Sequence, residues 1–200
     1  ASNPNSGKLD RSKLYGLEDY AQVRNAFRND VMAHKKPRRV ALDDAGHANL
    51  YFEDFLTMKY QVQEMLRAER IFEADGIQEE IDAYNPLIPD GSNWKATFML
   101  EYADVDERRA RLAELIGVED RVYVQVGDAE RVFAIADEDL ERETDEKTSS
   151  VHFLRFEFSP GMVQAVKDGA EVRMGVDHPA LTTEVAASAE TRESLAQDLA

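Results

Sequence analysis

Apolar residues in the first half of the chain recur at the three- and four-residue spacing of helices, interrupted once by an alternating stretch. The spacing predicts a helix over 17–34, which should stop before Pro37 because the residue before a proline disfavours helical geometry. Alternating apolar positions around a turn predict a hairpin over 40–53. A long helix is predicted over 54–74, with Gly76 ending it. One carboxylate lies on the apolar seam of this helix, which consists of Phe55, Met58, Val62, Met65, Glu69 and Phe72.

The second half of the chain alternates apolar and polar residues with the two-residue period of β-strands. A loop over 85–93, with two prolines and an Asp-Gly pair, separates the halves. Beyond it the pattern predicts five strands and two helices in the order βαβ-β-βαβ. The strands cover 94–102, 122–126, 131–136, 151–158 and 171–176, and the helices cover 104–117 and 159–169.

Together these elements predict an α+β fold. We expect the helical part with its hairpin, 9–84, to pack beside a five-stranded mixed or antiparallel sheet in 94–180, covered by two helices. The two parts should form one compact unit. Residues 1–8 are small and polar, and they are expected to be a flexible end or a remnant foreign to the fold. The Ala-, Thr- and Glu-rich residues 181–200 are expected to be a peripheral tail.

Composition narrows the class of protein. With 200 residues, 43% of them hydrophobic, the chain can bury a sizeable core. It has no cysteine, which excludes disulfides, thiolate nucleophiles, iron–sulfur ligation and Cys-type zinc sites. No apolar run approaches the roughly 20 residues of a membrane span, and no signal peptide is recognisable. We therefore expect a soluble, cytoplasmic protein.

The net charge of −16 is distributed unevenly. Residues 1–39 carry nine basic and four acidic side chains, whereas residues 40–200 carry 15 basic and 36 acidic ones. An acidic surface repels a nucleic-acid backbone, because affinity there comes from neutralising phosphates. The acidic net charge is instead compatible with high solubility or with the binding of a basic protein partner. A weaker alternative is a nucleic-acid-linked regulator that uses the basic residues Arg24, Arg28 and 35–39.

No motif specifies a reaction or a cofactor. The four histidines lie outside the His-x-x-x-His and Glu-x-x-His patterns, so a diiron site of the ferritin type is not indicated. A mononuclear site assembled from distant residues stays open. Nucleophile elbows and glycine-rich phosphate loops are absent from the sequence. We therefore predict no cofactor and favour a non-enzymatic role. His152 alternates with apolar residues and should be a hydrogen-bonded core or edge histidine, and His178 should lie in a turn.

One candidate site lies on the long helix. Tyr60, Gln63 and Arg67 form a polar stripe beside the seam that carries Glu69, and Glu64 is spaced to pair with Arg67. A buried carboxylate needs a cationic or hydrogen-bonding partner. Tyr60, Glu64, Arg67 and Glu69 therefore indicate either a polar, ligand-binding or catalytic pocket between helix and sheet, or a structural ion-pair network. We favour the network. The same seam could pack against a second copy, so a homodimer is compatible with it.

A second candidate site is the basic stretch at the end of the first helix. In one interpretation its cations bind an anion or a partner, together with residues of the returning strand. In the other they stabilise the helix C-terminus through its dipole, by about 0.3–1 kcal/mol each. The acidic segment 137–147 is solvated surface or a dock for a basic partner. The residues of this second site are His34, Lys35, Lys36, Arg38, Arg39, Tyr51 and Glu53.

Four long stretches carry a resemblance to a known family. They are MAHKKPRRVAL, LYFEDFLTMKYQVQEMLRAERIFE, AYNPLIPDGSNWKATFMLEY and EKTSSVHFLRFEFSPGMV. Together they resemble an uncharacterised bacterial domain-of-unknown-function family of about this length, over 9–179. The family has no established activity, so the resemblance implies no catalytic residues. Its genes often stand beside those for rubrerythrin and an iron–sulfur oxidoreductase. This implies an accessory protein near peroxide defence or iron and redox metabolism, with those proteins as partners.

Overall fold

The computed structural model describes residues 7–136 and 147–200, which fold into helices and two antiparallel sheets. The predicted α+β class is confirmed. The helices of this described part are α1 (Leu17–Lys35), α2 (Phe55–Ala68), α3 (Ala74–Tyr84), α4 (Val105–Glu114), α5 (Pro160–Lys167) and α6 (Ala189–Ala196). Its strands are β1 (Arg39–Ala41), β2 (Ala48–Glu53), β3 (Asn93–Leu100), β4 (Val122–Val126), β5 (Val132–Phe133), β6 (Ile135–Ala136), β7 (Val151–Glu157), β8 (Val172–His178) and β9 (Leu181–Ala186).

The first sheet has the strand order β1-β2-β3-β7-β6, with every neighbour antiparallel. The predicted hairpin, β1 and β2, forms part of this sheet instead of packing beside it, because β2 pairs with β3 along its whole length. At the centre of the sheet Phe98 lies opposite His152. Alternate residues of β7 are buried, as the apolar alternation predicts.

The second sheet has the order β5-β4-β8-β9, so the predicted single five-stranded sheet is wrong in this respect. The division occurs within 131–136, which the apolar pattern joins into one strand. Val132–Phe133 pairs with β4, whereas Ile135–Ala136 pairs with β7. Ala134 lies between them and is buried. The chain thus changes sheets at Ala134, and the buried faces of both sheets share one hydrophobic core.

The C-terminal residues belong to this core, so the expectation of a peripheral tail at 181–200 is wrong. Strand β9 pairs with β8 over its whole length, and α6 follows it. Leu195 is completely buried, and Leu199 is 5% exposed. The composition of this segment, rich in Ala, Thr and Glu, does not indicate the burial of these two leucines.

Helices α1, α2 and α3 enclose a smaller apolar cluster that includes Phe55, Val62 and Ile81. Helix α2 ends at Ala68, earlier than predicted, because Arg70 adopts a left-handed backbone (φ 53°). Gly76 lies inside α3 and does not end α2. The last two residues of the predicted seam, Glu69 and Phe72, therefore fall outside the helix and are exposed.

Candidate functional site

The basic stretch at the end of α1 forms the centre of a buried ionic cluster. Arg38 has a side chain that is only 2% exposed. Its Nε donates to the carbonyl of Phe52 (3.1 Å), and Nη1 donates to the carbonyl and hydroxyl oxygens of Ser194 (3.2 and 3.1 Å). Its Nη2 donates to the carboxylate of Asp198 and the carbonyl of Glu53. All three guanidinium nitrogens are thus bonded, and Arg38 ties β2 to α6.

Asp54 joins this guanidinium to His34 and to the start of α2. Its Oδ2 lies 2.6 Å from Nε2 of His34 and 3.6 Å from Nη1 of Arg38. Its Oδ1 accepts from the backbone N–H of Thr57 (3.0 Å), whose hydroxyl accepts from the N–H of Asp54, forming a capping box. Burial raises the pKa of Asp54, but the His34 hydrogen bond and the Arg38 charge outweigh it and lower the pKa overall. Asp54 is therefore an anion at neutral pH.

Asp198 is the second carboxylate on Arg38, and it titrates differently. Its side chain is 6% exposed. Burial raises the pKa of Asp198 to about 6, although the charge of Arg38 acts in the opposite direction. The contact that holds α6 against the rest of the fold is therefore sensitive to pH near neutrality.

Glu53, at the end of β2, is held by two hydroxyl groups. Its Oε2 accepts from Oγ1 of Thr57 (2.6 Å) and its Oε1 from Oγ1 of Thr97 (3.1 Å). Burial raises the pKa of Glu53, and the charge of Lys35 partly opposes the shift. The amine of Lys35 also lies 5.5 Å from the ring centre of Tyr60. Lys35 thus interacts with a carboxylate and an aromatic ring of its own chain.

Arg39 lies on the exposed side of the same strand pair. Its guanidinium carbon is 5.7 Å from the ring centre of Tyr51, and its Nη2 is 4.0 Å from the carboxylate of Glu101. The hydroxyl of Tyr51 donates to the same carboxylate (3.0 and 3.1 Å). Lys36 is exposed. The seven residues of the second predicted site are therefore neighbours, but most of their charges are directed at groups of their own chain.

The predicted site on α2 divides into a paired half and an exposed half. Glu64 forms a two-pronged ion pair with Arg24 of α1 (3.0 and 3.1 Å). Burial opposes ionisation, yet the interactions with Arg24 and with the Tyr60 hydroxyl lower the pKa of Glu64 overall. Arg67 and Glu69 are exposed. The expectation of a buried Glu69 is therefore wrong, and the geometry favours an ion-pair network over a polar pocket.

The histidines predicted to be structural have structural partners. His152 is 1% exposed, and its Nε2 lies 2.9 Å from the hydroxyl of Thr148. His178 ends β8; its Nε2 donates to the carbonyl of Ile116 (2.8 Å), and its Nδ1 accepts from the N–H of Ala180 (3.0 Å). Over 7–136 and 147–200, no group of three or more His, Asp or Glu side chains is arranged to hold a metal. The acidic segment 137–147, for which solvated surface and a dock were the alternatives, lies outside the described residues, apart from Lys147.

A groove opens between the N-terminal end of α1, the last turn of α2 and the first turn of α3. Its volume is about 410 Å³. Phe72 stands at this groove with 71% of its surface exposed. The apolar lining is Leu17, Leu66, Ile71, Phe72 and Ile77, and the remaining lining is Arg11, Tyr15, Gly16, Glu18 and Asp19. In the described part of the chain, no helix is both long and apolar enough to cross a bilayer.

A family model described as "Protein of unknown function (DUF3501)" matches residues 8–199. The chain belongs to the DUF3501 family. Its fold is similar to the crystal structure of a novel protein of unknown function from Burkholderia pseudomallei K96243, with a TM-score of 0.90 and 50% sequence identity. That match covers 97% of this chain and 100% of the other. No curated protein matches the chain. The predicted membership in an uncharacterised family is thus confirmed.

Two features of this DUF3501 protein were missed by the sequence reasoning. The groove arises because α2 stops early, which exposes Phe72, and the helical spacing did not indicate that stop. The second feature is the burial of Lys59, which is unusual because lysine side chains are almost never fully buried unless they are paired. A signal for Lys59 did exist, because Phe55, Lys59, Val62 and Leu66 are spaced four, three and four apart and so share one helix face.

Proposed function

We propose that this DUF3501 protein is a non-catalytic accessory protein that binds a segment of a partner protein in the groove beside Phe72. The observation that carries the proposal is the exposure of Phe72, which is the most exposed large hydrophobic side chain of the described residues. A large exposed aromatic beside an apolar groove is typical of an interaction site, since water contact with this surface is unfavourable.

The charges around the groove define the partner's chemistry. Glu18 and Asp19 lie in the first turn of α1 and line the groove. Arg11 is the one basic residue in its lining. The chain as a whole carries a net charge of −16, so a basic partner is attracted from a distance. The occupant that fits is a partner segment with apolar side chains for the groove and lysine or arginine at its edges.

The candidate partners come from the family resemblance. The resemblance implies that family genes often stand beside those for a rubrerythrin and an iron–sulfur oxidoreductase, so we propose these two classes as partners. The role would then be an accessory one in peroxide defence or in iron and redox metabolism, in the cytoplasm. The absence of cysteine is consistent with a protein that supports electron carriers and does not hold a cluster itself through thiolates.

The test uses the purified chain with a purified rubrerythrin-like protein and an iron–sulfur oxidoreductase from the same organism. Binding is measured by isothermal titration calorimetry with the wild type, with Phe72→Asp and with Val105→Asp. Val105 is a matched control, because it is also an exposed apolar residue (55%) but does not line the groove. Burying a phenylalanine stabilises a complex by about 1.5–3 kcal/mol, so Phe72→Asp should weaken binding at least about tenfold.

Three outcomes decide the proposal. Loss of binding in Phe72→Asp alone supports the groove as the docking site. Equal effects of the two aspartate substitutions show that the groove is not the site. No binding of either purified partner by the wild type contradicts the proposed function itself.

A further inference from the structure

Lys59 lies on the face of α2 that packs against α1, and its side chain is almost completely buried. The residue is 7% exposed. Its Nζ is 4.6 Å from the ring centre of Tyr15 and 5.7 Å from that of Phe27. These rings belong to an aromatic group in which Tyr20 and Tyr60 also take part. The amine is therefore enclosed by aromatic faces.

This amine has no anionic partner in the described part of the chain. No hydrogen bond or ion pair there involves its Nζ, and the charged groups at the same helix interface, Arg24 and Glu64, are paired with each other. Aromatic faces stabilise an ammonium ion by only about 0.5–2 kcal/mol. That is less than the cost of removing a full charge from water. Burial without an anionic partner therefore makes the ammonium ion of Lys59 less stable, relative to the neutral amine, than it is in water.

Lys95 shows the contrast with a buried lysine that is fully paired. It is 8% exposed, almost the same as Lys59. Its Nζ donates to the carbonyl of Pro86 (2.6 Å) and forms an ion pair with Asp90 (3.3 Å). Burial lowers the pKa of Lys95 as well, but the ion pair with Asp90 opposes that shift, whereas Lys59 has no such partner in the described part of the chain. The two lysines are therefore similar in burial and different in their charged partners.

Two further observations concern reactivity and access. Burial lowers the pKa of Lys59, and no neighbouring charge contributes to the shift. A neutral amine has the free electron pair that a nucleophile needs. Tyr15, whose ring lies over Nζ, also lines the groove beside Phe72. Tyr15 therefore contacts both the amine and the groove, although Lys59 itself does not line the groove.

We propose that Lys59 is a covalent binding site for small aldehydes, preferentially those with an aromatic or apolar body. The electron pair of Nζ attacks the carbonyl carbon, and one proton of the nitrogen moves to the carbonyl oxygen, which gives a carbinolamine. That intermediate loses the hydroxyl group and one nitrogen proton as water, which leaves an imine. No oxidant or reductant is consumed. The aromatic rings supply a matching surface for the body of the aldehyde. This inference does not depend on the docking of a partner protein.

The experiment compares lysines within one folded chain. The full wild-type protein is treated with benzaldehyde and sodium cyanoborohydride at about pH 7, and the labelled lysines are followed over time by peptide mass spectrometry. The borohydride reduces the imine and so records where it formed. Because a lowered pKa increases the neutral fraction of an amine, Lys59 should be labelled faster than Lys95 and faster than the exposed Lys36.

Variants separate reactivity from folding. Lys59→Met should lose the fast-labelled site, whereas Lys95→Met should retain it. Circular dichroism and the fluorescence of Trp94 establish that each variant is folded. If Lys59→Met does not fold, the labelling rates of the lysines within the wild type still test the proposal. Labelling of Lys59 no faster than Lys36 in the wild type, or only after denaturation, overturns the proposal.

Discussion

Replacing Arg38 by methionine should destabilise this protein more than replacing any exposed arginine. Arg38→Met keeps an unbranched side chain but removes the guanidinium. Three backbone carbonyls, those of Phe52, Glu53 and Ser194, then lose a donor. The nearly buried carboxylate of Asp198 loses its cation. The substitution therefore tests whether the basic stretch is a structural element of the core.

The magnitude follows from burial. Removing one partner of a buried ion pair costs about 3–5 kcal/mol, because the other charge remains without compensation. Domains are stable by only about 5–15 kcal/mol, so this loss is a large fraction of the total. For a chain of 200 residues it corresponds to a melting temperature lower by roughly 10 °C.

Trp94 supplies the assay. It is the only tryptophan of the chain, it is completely buried, and its indole N–H donates to the carbonyl of Leu195 in α6 (2.9 Å). Its fluorescence therefore reports on the packing of α6, the helix that Arg38 connects to β2. Urea unfolding at about pH 7 measures the free energy of unfolding of the wild type and of Arg38→Met, with the slope checked for a common unfolded state.

Arg39→Met is the matched control, because the Arg39 side chain is 54% exposed and its nearest carboxylate oxygen is 4.0 Å away. Such a surface pair contributes about 1 kcal/mol or less. Arg38→Met should also recover part of its loss when the pH is lowered to about 5, because the carboxyl group of Asp198 can then become neutral. A loss of stability in Arg38→Met no larger than that in Arg39→Met would refute the reasoning.

Three further substitutions have definite expected results. The pKa of Asp198 is about 6 in the folded protein and lies above the unfolded value of 3.8, so ionisation of this carboxyl group destabilises the fold. Between about pH 4 and about pH 7 the free energy of unfolding of the wild type should therefore fall by about 2 kcal/mol relative to that of Asp198→Asn, as measured by urea unfolding. Gly175→Ala should cost about 1–3 kcal/mol or more in thermal unfolding, because its Cβ would overlap the backbone carbonyl of Thr183 and lie 2.6 Å from the hydroxyl of Tyr123. Glu69→Ala should change stability by less than about 0.5 kcal/mol, since Glu69 is exposed; a loss of about 3 kcal/mol would show a buried charge instead.

The parts of the fold that the sequence predicted are those with a clear local period. Strand β3 has apolar residues at every second position from Trp94 to Leu100, and alternate residues of β7 are buried. Helix α1 begins at the predicted residue and ends within one residue of the prediction, near Pro37. Helix α4 begins after Asp104, whose side chain accepts from the N–H of Glu107 as the capping pattern predicts. In these cases the structure depends on residues near in sequence.

The parts that could not be predicted depend on contacts between residues far apart. Nothing local separates Val132–Phe133 from Ile135–Ala136, because each pair has apolar residues and only the choice of neighbouring strand distinguishes them. The early end of α2 depends on one residue, Arg70, in a left-handed conformation that arginine rarely adopts. The groove and the exposure of Phe72 follow from that end, so neither was visible in the helical spacing.

The basic stretch shows the same limit for function. Its composition is compatible with an anion-binding site, because a run of basic residues in a sequence does not show which carboxylates lie near it in the fold. Arg38 meets Asp198, which lies 160 residues further along the chain in a segment whose composition indicated a tail. Once α6 is placed in the core, the guanidinium is fully bonded and cannot also bind an external anion without breaking those contacts. The basic stretch at the end of α1 therefore has a structural role at Arg38, and the two sites that we propose for ligands, the groove beside Phe72 and the amine of Lys59, lie elsewhere.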